Sequence, residues 1–306
     1  MIERLATCEA TVLIEGEIGT GKEVAARAIH YLGGRRNGPF TPINCGAMPD
    51  SLFENELFGH VRGAFTDARD TSGGLIANAD GGTLFLDEVE VLSPKGQVAL
   101  LRFLQDGTYR PLGGKRLVTA NVRVIGASNV SLRELVARGE FRADLMYRLA
   151  VMPLVLPPLR AREGDVSLLA HHFLARFNAQ YRTSKRLSPA SLAALEAHTW
   201  PGNVRELENV LHREVLLCDG ETIELADRLP PSAAPGGPGR GRVAFERGFR
   251  AAKASCVADF ERRFVCWALE QSGGNVSAAA RRAGKERRTF ARLVKKYAVD
   301  RDRLAG

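Results

Sequence analysis

The 306-residue chain has no apolar run approaching the ~18 residues that span a bilayer, so no membrane segment is expected. Its start, MIERLATCEATVLIEGE, carries acids early and lacks a basic stretch, an apolar core and a cleavage site. A secretory signal is thereby set aside, and a cytoplasmic location is expected. Cysteine is scarce: Cys8, Cys45, Cys218, Cys256 and Cys266 are odd in number, scattered and without CxxC spacing. That pattern argues against a disulfide framework and a zinc site, and reads as buried or idle thiols. No internal repeat is visible. The rest is ordinary for a soluble protein, with 45% hydrophobic and 25% charged residues and room for about two domains.

The net charge of +8 is unevenly placed. Residues 240–306 hold 17 Lys and Arg against 7 Asp and Glu, a net of +10, while residues 1–239 hold 26 against 28, a net of −2. A polyanionic partner for the C-terminal part follows, with nucleic acid ahead of a membrane surface; a solvated basic face is the plainer alternative.

One stretch, LPPSAAPGGPGRGR, has nothing to pack and reads as a flexible linker. Before it, strand-length apolar runs (TVLIEG, TPINC, GGTLFLDE, VRVIGASN) alternate with helical segments (KEVAARAIHYL, GQVALLRFLQDG, SLRELVARG). Such alternation predicts a parallel sheet covered by helices. From Leu156 the pattern turns helical with Pro and Gly punctuation, predicting a smaller helical subdomain without strands.

GEIGTGKE, residues 16–23, lies between an apolar strand and a helix. Gly16, Glu17, Ile18, Gly19, Thr20 and Gly21 form a loop whose backbone amides converge on phosphates at a helix N-terminus, with Lys22 reaching the β and γ oxygens. The alternative is a tight turn that happens to carry glycines and a lysine. Glu23 stands where a Mg²⁺-binding hydroxyl is expected, and Thr20 is placed wrongly in the turn to replace it. GGTLFLDE ends an apolar strand with Asp87, suited to holding Mg²⁺ directly or through water, and Glu88, suited to general-base activation of water. VRVIGASN ends in Ser128 and Asn129, placed to sense a γ-phosphate. Positive charge at the departing phosphate points to Arg142, Arg148 and Arg205; exposed arginines in surface ion pairs are the alternative.

GEIGTGKE, INCGAMPDSLFENELFGH, GAFTDA, GGTLFLDE, FRADLMYRL, LPPLRAREGD and WPGNVREL, in this order and spacing, closely resemble the AAA+ ATPase domain of bacterial sigma-54-dependent transcriptional activators. The resemblance covers nearly all of residues 1–230, and Glu after the loop Lys is itself a habit of that family. It implies an AAA+ P-loop NTPase of α/β class, with a sheet subdomain at 1–157, a helical lid at 158–230 and a linker at 231–244. It implies ATP on the loop and Lys22, with Asp87 organising Mg²⁺, Glu88 activating water and Asn44 hydrogen-bonding and switching that Glu. Asn129 would be the first sensor, Arg205 the second, and Arg142 and Arg148 arginine fingers acting on a neighbouring protomer in a homo-oligomeric ring, a dimer-to-hexamer assembly. GAFTDA, comprising Gly63, Ala64, Phe65, Thr66, Asp67 and Ala68, would be the loop that touches sigma-54, with Asp67 in place of the family's Gly. Ile18 replaces the usual Ser. Family members carry some two dozen further residues before the segment like ERLATCEATVLI, including part of the adenine pocket, whereas Met1 lies almost at the first strand; a compromised nucleotide affinity is one implication and a misassigned start the other.

Residues 245–306 show an amphipathic helix, GGN, and two short helical stretches divided at Ala283–Lys285, a helix-turn-helix pattern with Gly284 suited to the turn. Arg287, Arg288, Thr289, Arg292, Lys295 and Lys296 fall in the second helix, for DNA bases and phosphates. GGNVSAAA and RRTF…KKY resemble the Fis-type domain of the same activators, with departures at Lys285, Glu286 and Ala291. Phe260, Phe264 and Trp267 either dimerise or line their own core. The implied function is an ATP-hydrolysing activator that binds double-stranded enhancer DNA and remodels sigma-54 RNA polymerase from closed to open complex. The alternative is a DNA-binding regulator whose ATPase-like domain serves only as a nucleotide-gated oligomerisation module.

Overall fold

The computed structural model describes residues 1–65, 70–225 and 229, and in the C-terminal region 264, 265, 267–269, 272, 275–285 and 287–296. The chain divides into two compact units, Met1–Ala233 and Ala234–Gly306.

The first unit is built on a five-stranded parallel sheet in the order β2-β3-β6-β1-β7. Its strands are β1 (Val12–Glu15), β2 (Phe40–Asn44), β3 (Thr83–Asp87), β6 (Arg123–Ser128) and β7 (Met152–Val155). Helices cover both faces, which is why the central strands are apolar without interruption rather than alternating. Side-chain alternation divides the core: Val12, Ile14, Phe85 and Ile125 pack on Ala26 and Ile29 of α2 (Lys22–Tyr31), whereas Leu13, Leu84 and Leu86 face the opposite core with Leu57, Leu100 and Leu145. The register pairs Asn44 with Asp87 and Glu15 with Ser128, so the functional strand ends share one edge of the sheet.

The predicted strands and their helices are present. α5 (Pro94–Asp106) begins two residues before the predicted GQVALLRFLQDG, because Ser93 caps it by accepting from the Gly96 amide and Pro94 fits the first turn. Several elements escaped the sequence pattern: α1 (Ile2–Ala6), α3 (Asp50–Phe58), α4 (Gly74–Asn78), strand β7, α7 (Ala143–Leu149) and the two-residue hairpin of β4 (Thr108–Tyr109) with β5 (Val118–Thr119). Each is short, and α1 is held by a distant group: buried Arg123 donates to its last carbonyls, at 2.5 Å to Leu5 O. Between α5 and α7 lies α6 (Leu132–Ala137), matching SLRELVARG.

The lid comprises α8 (Asp165–Tyr181), α9 (Pro189–Ala197) and α10 (Asn203–Leu217) around fully buried Trp200, whose indole N–H donates to Leu195 O at 2.8 Å. It is not strand-free as expected. β8 (Arg186–Leu187) pairs in parallel with β9 (Thr222–Ile223), a contact too short for any sequence period to reveal. Leu229, assigned to the linker by composition, packs on this core. Among the described residues no helix is long and apolar enough to cross a membrane.

Beneath the sheet, His30 is buried with its Nδ1 2.9 Å from Thr83 Oγ1. Burial, aided by the Arg123 charge, pushes its pKa down. The unfolded chain therefore binds this proton more readily, so the stability owed to neutral His30 is full above about pH 6.5 and is lost as pH falls below it. Lowering pH from about 7.5 to about 5.5 lowers the unfolding midpoint, and this shift is smaller in His30→Asn; equal shifts in thermal melts of the two proteins would exclude His30 as a contributor.

Candidate functional site

Loop 16–21 leaves β1 and enters α2 at Gly21, whose φ of 95° and that of Gly19, 79°, lie in the left-handed region open to glycine. No side chain caps α2, so its first amides remain available to an anion. Thr20 is buried and its hydroxyl donates to Glu17 O at 2.8 Å, a bond internal to the loop. Glu23 pairs with Arg27 one turn along the helix, at 2.7 Å, while its side of α2 borders the same cleft.

Lys22 is nearly enclosed. Its ammonium donates to Gly16 O at 2.9 Å, Glu17 O at 3.2 Å and Asn129 Oδ1 at 2.6 Å. Burial pulls its pKa down against the opposing pull of Asp87 and Glu90. Asp87 is pushed the other way by burial, offset in part by the Glu88 amide, which donates to Asp87 Oδ1 at 3.0 Å, and by Lys22. Glu88 itself is left-handed (φ 56°, ψ 45°), a conformation costing a residue with a side chain roughly 1–2 kcal/mol. This bend turns its carboxylate towards Gly46, where an added Cβ would lie 2.6 Å from Glu88 Oε2 and 3.3 Å from Asn44 Oδ1. Asn44 accepts from the Gly46 amide at 2.8 Å and makes no hydrogen bond to Glu88, contrary to the expectation for this pair. The two stand beside the same glycine.

Asn129 borders the cleft as expected, but Ser128 does not act there. It is fully buried and its hydroxyl donates to Val130 O at 2.7 Å, because β6 is still paired at that residue and directs it inward. The lid closes over the loop. Arg205 and Val204 of α10 line one cleft with Ile18, Lys22, Asp87, Glu88 and Asn129. Val204 N donates to Gly19 O at 3.0 Å, and buried Asn203, itself left-handed, donates to Ile18 O at 2.9 Å and to Glu17. Glu17 also forms a two-bond pair with Arg160, which holds its pKa down. Sequence reading had Glu17 only as a loop residue; its lid partners, and Asn203, were missed, as was Glu90, visible only as a third carboxylate in DEVE.

Arg142 and Arg148 do not reach this cleft. Arg142 is exposed and paired with Asp144 at 2.6 Å; Arg148 donates to Leu104 O and Gln105 O near the end of α5. Elsewhere, Gly63 (φ 82°), Ala64 and Phe65 rise from a neck where His60 and Ser72 exchange two backbone bonds of 2.9 Å. Phe65 is 42% exposed, its ring edge-on to His60 at 5.0 Å. Thr66, Asp67 and Ala68 lie outside the described residues.

In the second unit, helix Val276–Arg282 is capped by Asn275, a turn follows with Gly284 at φ 60°, and helix Arg287–Lys296 completes the predicted pair. Phe290 and Val294 are buried against Val265, Ala268, Leu269, Ala279 and Ala280. Arg287, Arg288, Arg292 and Lys296 are exposed, Thr289 is half-buried, and Lys295 is helical. Trp267 is exposed with its ring 5.6 Å from that of Phe264; Phe260 and Glu286 are outside the described residues.

Three family models match: Sigma-54 interaction domain over residues 1–155, AAA+ ATPase lid domain over 160–242, and Bacterial regulatory protein, Fis family, over 257–297. The chain is 42% identical to Regulatory protein AtoC of Escherichia coli K12, covering 97% of this chain and 64% of that protein. It is 48% identical to the Sigma54-dependent transcriptional activator SfnR of Pseudomonas putida, covering 74% and 62%. NtrX from Brucella abortus, solved in complex with ATP, is similar with a TM-score of 0.72 and 33% identity over 97% of this chain and 66% of that one. The chain thus spans slightly less than two thirds of these relatives. Sheet, lid and helix-turn-helix, each matched in order by its own model, make this chain a member of the sigma-54 interaction domain family of AAA+ ATPases, with a Fis-family helix-turn-helix domain.

Proposed function

We propose that the protein is an ATP-hydrolysing transcriptional activator that binds enhancer DNA, assembles into a ring and remodels sigma-54 RNA polymerase from closed to open complex. The observation that carries this reading is the convergence on one cleft of Lys22, Asp87, Glu88 and Asn129 from the sheet with Arg205 from the lid. The loop amides and Lys22 hold the phosphates, Asn129 and Arg205 read the terminal one, and Glu88 takes the proton of the attacking water. Among the described residues no group of three side chains could hold a metal ion unaided, while Asp87 is a hard oxygen donor at the cleft. That set fits Mg²⁺, which relies on few carboxylates plus water and phosphate oxygens. When bound, Mg²⁺ would neutralise charge on the phosphates.

Because Arg142 and Arg148 lie outside their own cleft, they are assigned to a neighbouring protomer's site, which makes hydrolysis depend on assembly. Arg287, Arg288, Thr289, Arg292, Lys295 and Lys296 are assigned to DNA; the core-facing position of Phe290 and Val294 supports this by leaving Arg287, Arg288, Arg292 and Lys296 on the outer side of their helix.

Phe65→Ala is the decisive experiment for the sigma-54 part. Phe65 is half-exposed away from the cleft, so ATP turnover stays within about twofold of the unsubstituted protein. ATP-dependent open-complex formation in a purified sigma-54 transcription assay falls at least about tenfold, as expected for loss of a buried aromatic anchor at an interface. Unimpaired open-complex formation would instead favour a nucleotide-gated oligomerisation module.

A further inference from the structure

The turn after β3 brings a third carboxylate behind Asn129, a residue that lines the cleft. Glu90 sits in a single 3₁₀ turn, Val89–Val91, and its Oε1 accepts twice from Asn129: from the backbone amide at 3.0 Å and from Nδ2 at 2.8 Å. Its Oε2 is buried without a hydrogen-bond partner. A carboxylate only accepts, so Glu90 fixes the Asn129 amide with nitrogen towards itself and oxygen towards Lys22, 2.6 Å away. The remaining two donors of Lys22 go to Gly16 O and Glu17 O, so all three are engaged within the protein.

This arrangement conflicts with phosphate sensing as it stands. A terminal phosphate drawn to Lys22 meets the carbonyl oxygen of Asn129, acceptor against acceptor. To donate to that phosphate the amide must turn, giving up Glu90 from its nitrogen and Lys22 from its oxygen. The backbone bond from Asn129 to Glu90 does not depend on the amide's orientation, so the carboxylate stays in place to recapture the side chain. As a purely stabilising device Glu90 is poor, since one buried oxygen is unpaired and two further carboxylates lie within three residues.

We propose that Glu90 is a positioning residue that competes with the terminal phosphate of a nucleoside triphosphate for the side-chain amide of Asn129. The inference rests on the ATP-binding reading above. A nucleoside diphosphate lacks the competing group, so Glu90 sets the preference of the site between the two nucleotides.

The test is equilibrium titration of the full chain with Mg²⁺ and either a non-hydrolysable ATP analogue or ADP. Glu90→Gln keeps the shape, removes the charge and accommodates either amide orientation. It tightens the triphosphate about three- to tenfold and leaves ADP within about twofold, the range expected for weakening a charge-assisted hydrogen bond to a neutral one. In an Asn129→Ala background the same substitution leaves the triphosphate-to-diphosphate ratio unchanged, which a structural role for Glu90 would not produce. Glu90→Ala repeats the measurement should the Gln variant lose ADP binding through misfolding. Equal changes for both nucleotides, an unchanged ratio, or an effect that persists without the Asn129 amide overturns the proposal while leaving ATP binding intact. Failure of the unsubstituted chain to bind either nucleotide overturns the parent reading and this one with it.

Discussion

Glu88→Gln lowers ATP turnover by at least about 100-fold, the usual contribution of a positioned general base. The amide matches the carboxylate in shape and leaves the left-handed bend at this residue unchanged, but it cannot take a proton from water. Lys22 and the loop amides, the groups proposed to hold phosphate, are untouched, so ATP-promoted assembly persists. Phosphate release at saturating ATP, measured beside sedimentation of the same sample, separates the two effects. Turnover at the level of the unsubstituted protein would remove Glu88 from its assigned role. Asn44 accepts from the Gly46 amide, and its side chain and that of Glu88 both lie beside this glycine without a hydrogen bond between them.

Gly19→Ala pries the lid from the phosphate loop. Its Cβ would lie 2.2 Å from Gly202 O, a backbone atom, at a residue whose φ is +79°. Neither constraint can be relieved by a side-chain rotation. The Val204 amide bond to Gly19 O is lost, Arg205 withdraws with α10, and affinity for the ATP analogue falls by about tenfold or more, the equivalent of one charge-assisted contact. Gly21→Ala is the matched control: its φ of +95° is similarly strained, yet nothing lies within 4 Å of the added atom. Both variants lose roughly 1–2 kcal/mol of stability from backbone strain. Amide exchange across residues 202–206 rises in Gly19→Ala alone; unaltered exchange there would show that the lid is not held by this approach.

The contrast between these two glycines marks the limit of sequence reading in this protein. Both were assigned to one loop by the same motif, and the αL geometry of each is local. That only Gly19 touches the lid depends on where α10 begins, 182 residues after Gly21. Likewise β3 and β6 were legible as apolar runs, and Asp87 and Glu88 as their polar end, since strand period and burial on both faces constrain neighbouring residues together. Ser128 was misplaced because the last residue of β6 is still paired with Glu15, which turns its hydroxyl away from the cleft. The lid's β8–β9 contact joins two residues to two across the whole of α9 and α10, too little for any pattern to announce.

The sequence alone determined the loop, the strand ends, the linker composition and the paired basic helices, because each is a run of neighbouring residues whose backbone preferences and spacing suffice. Tertiary structure decided which side chains meet. Asn203 reaches Glu17 across 186 positions, Asn129 reaches Lys22 across 107 and Glu90 across 39, and none of these pairs has a local signature. The Asn203 pair is chosen by the docking of the lid, while the engagement of Lys22 and the hold of Glu90 on Asn129 exist only once the sheet order sets β1, β3 and β6 side by side.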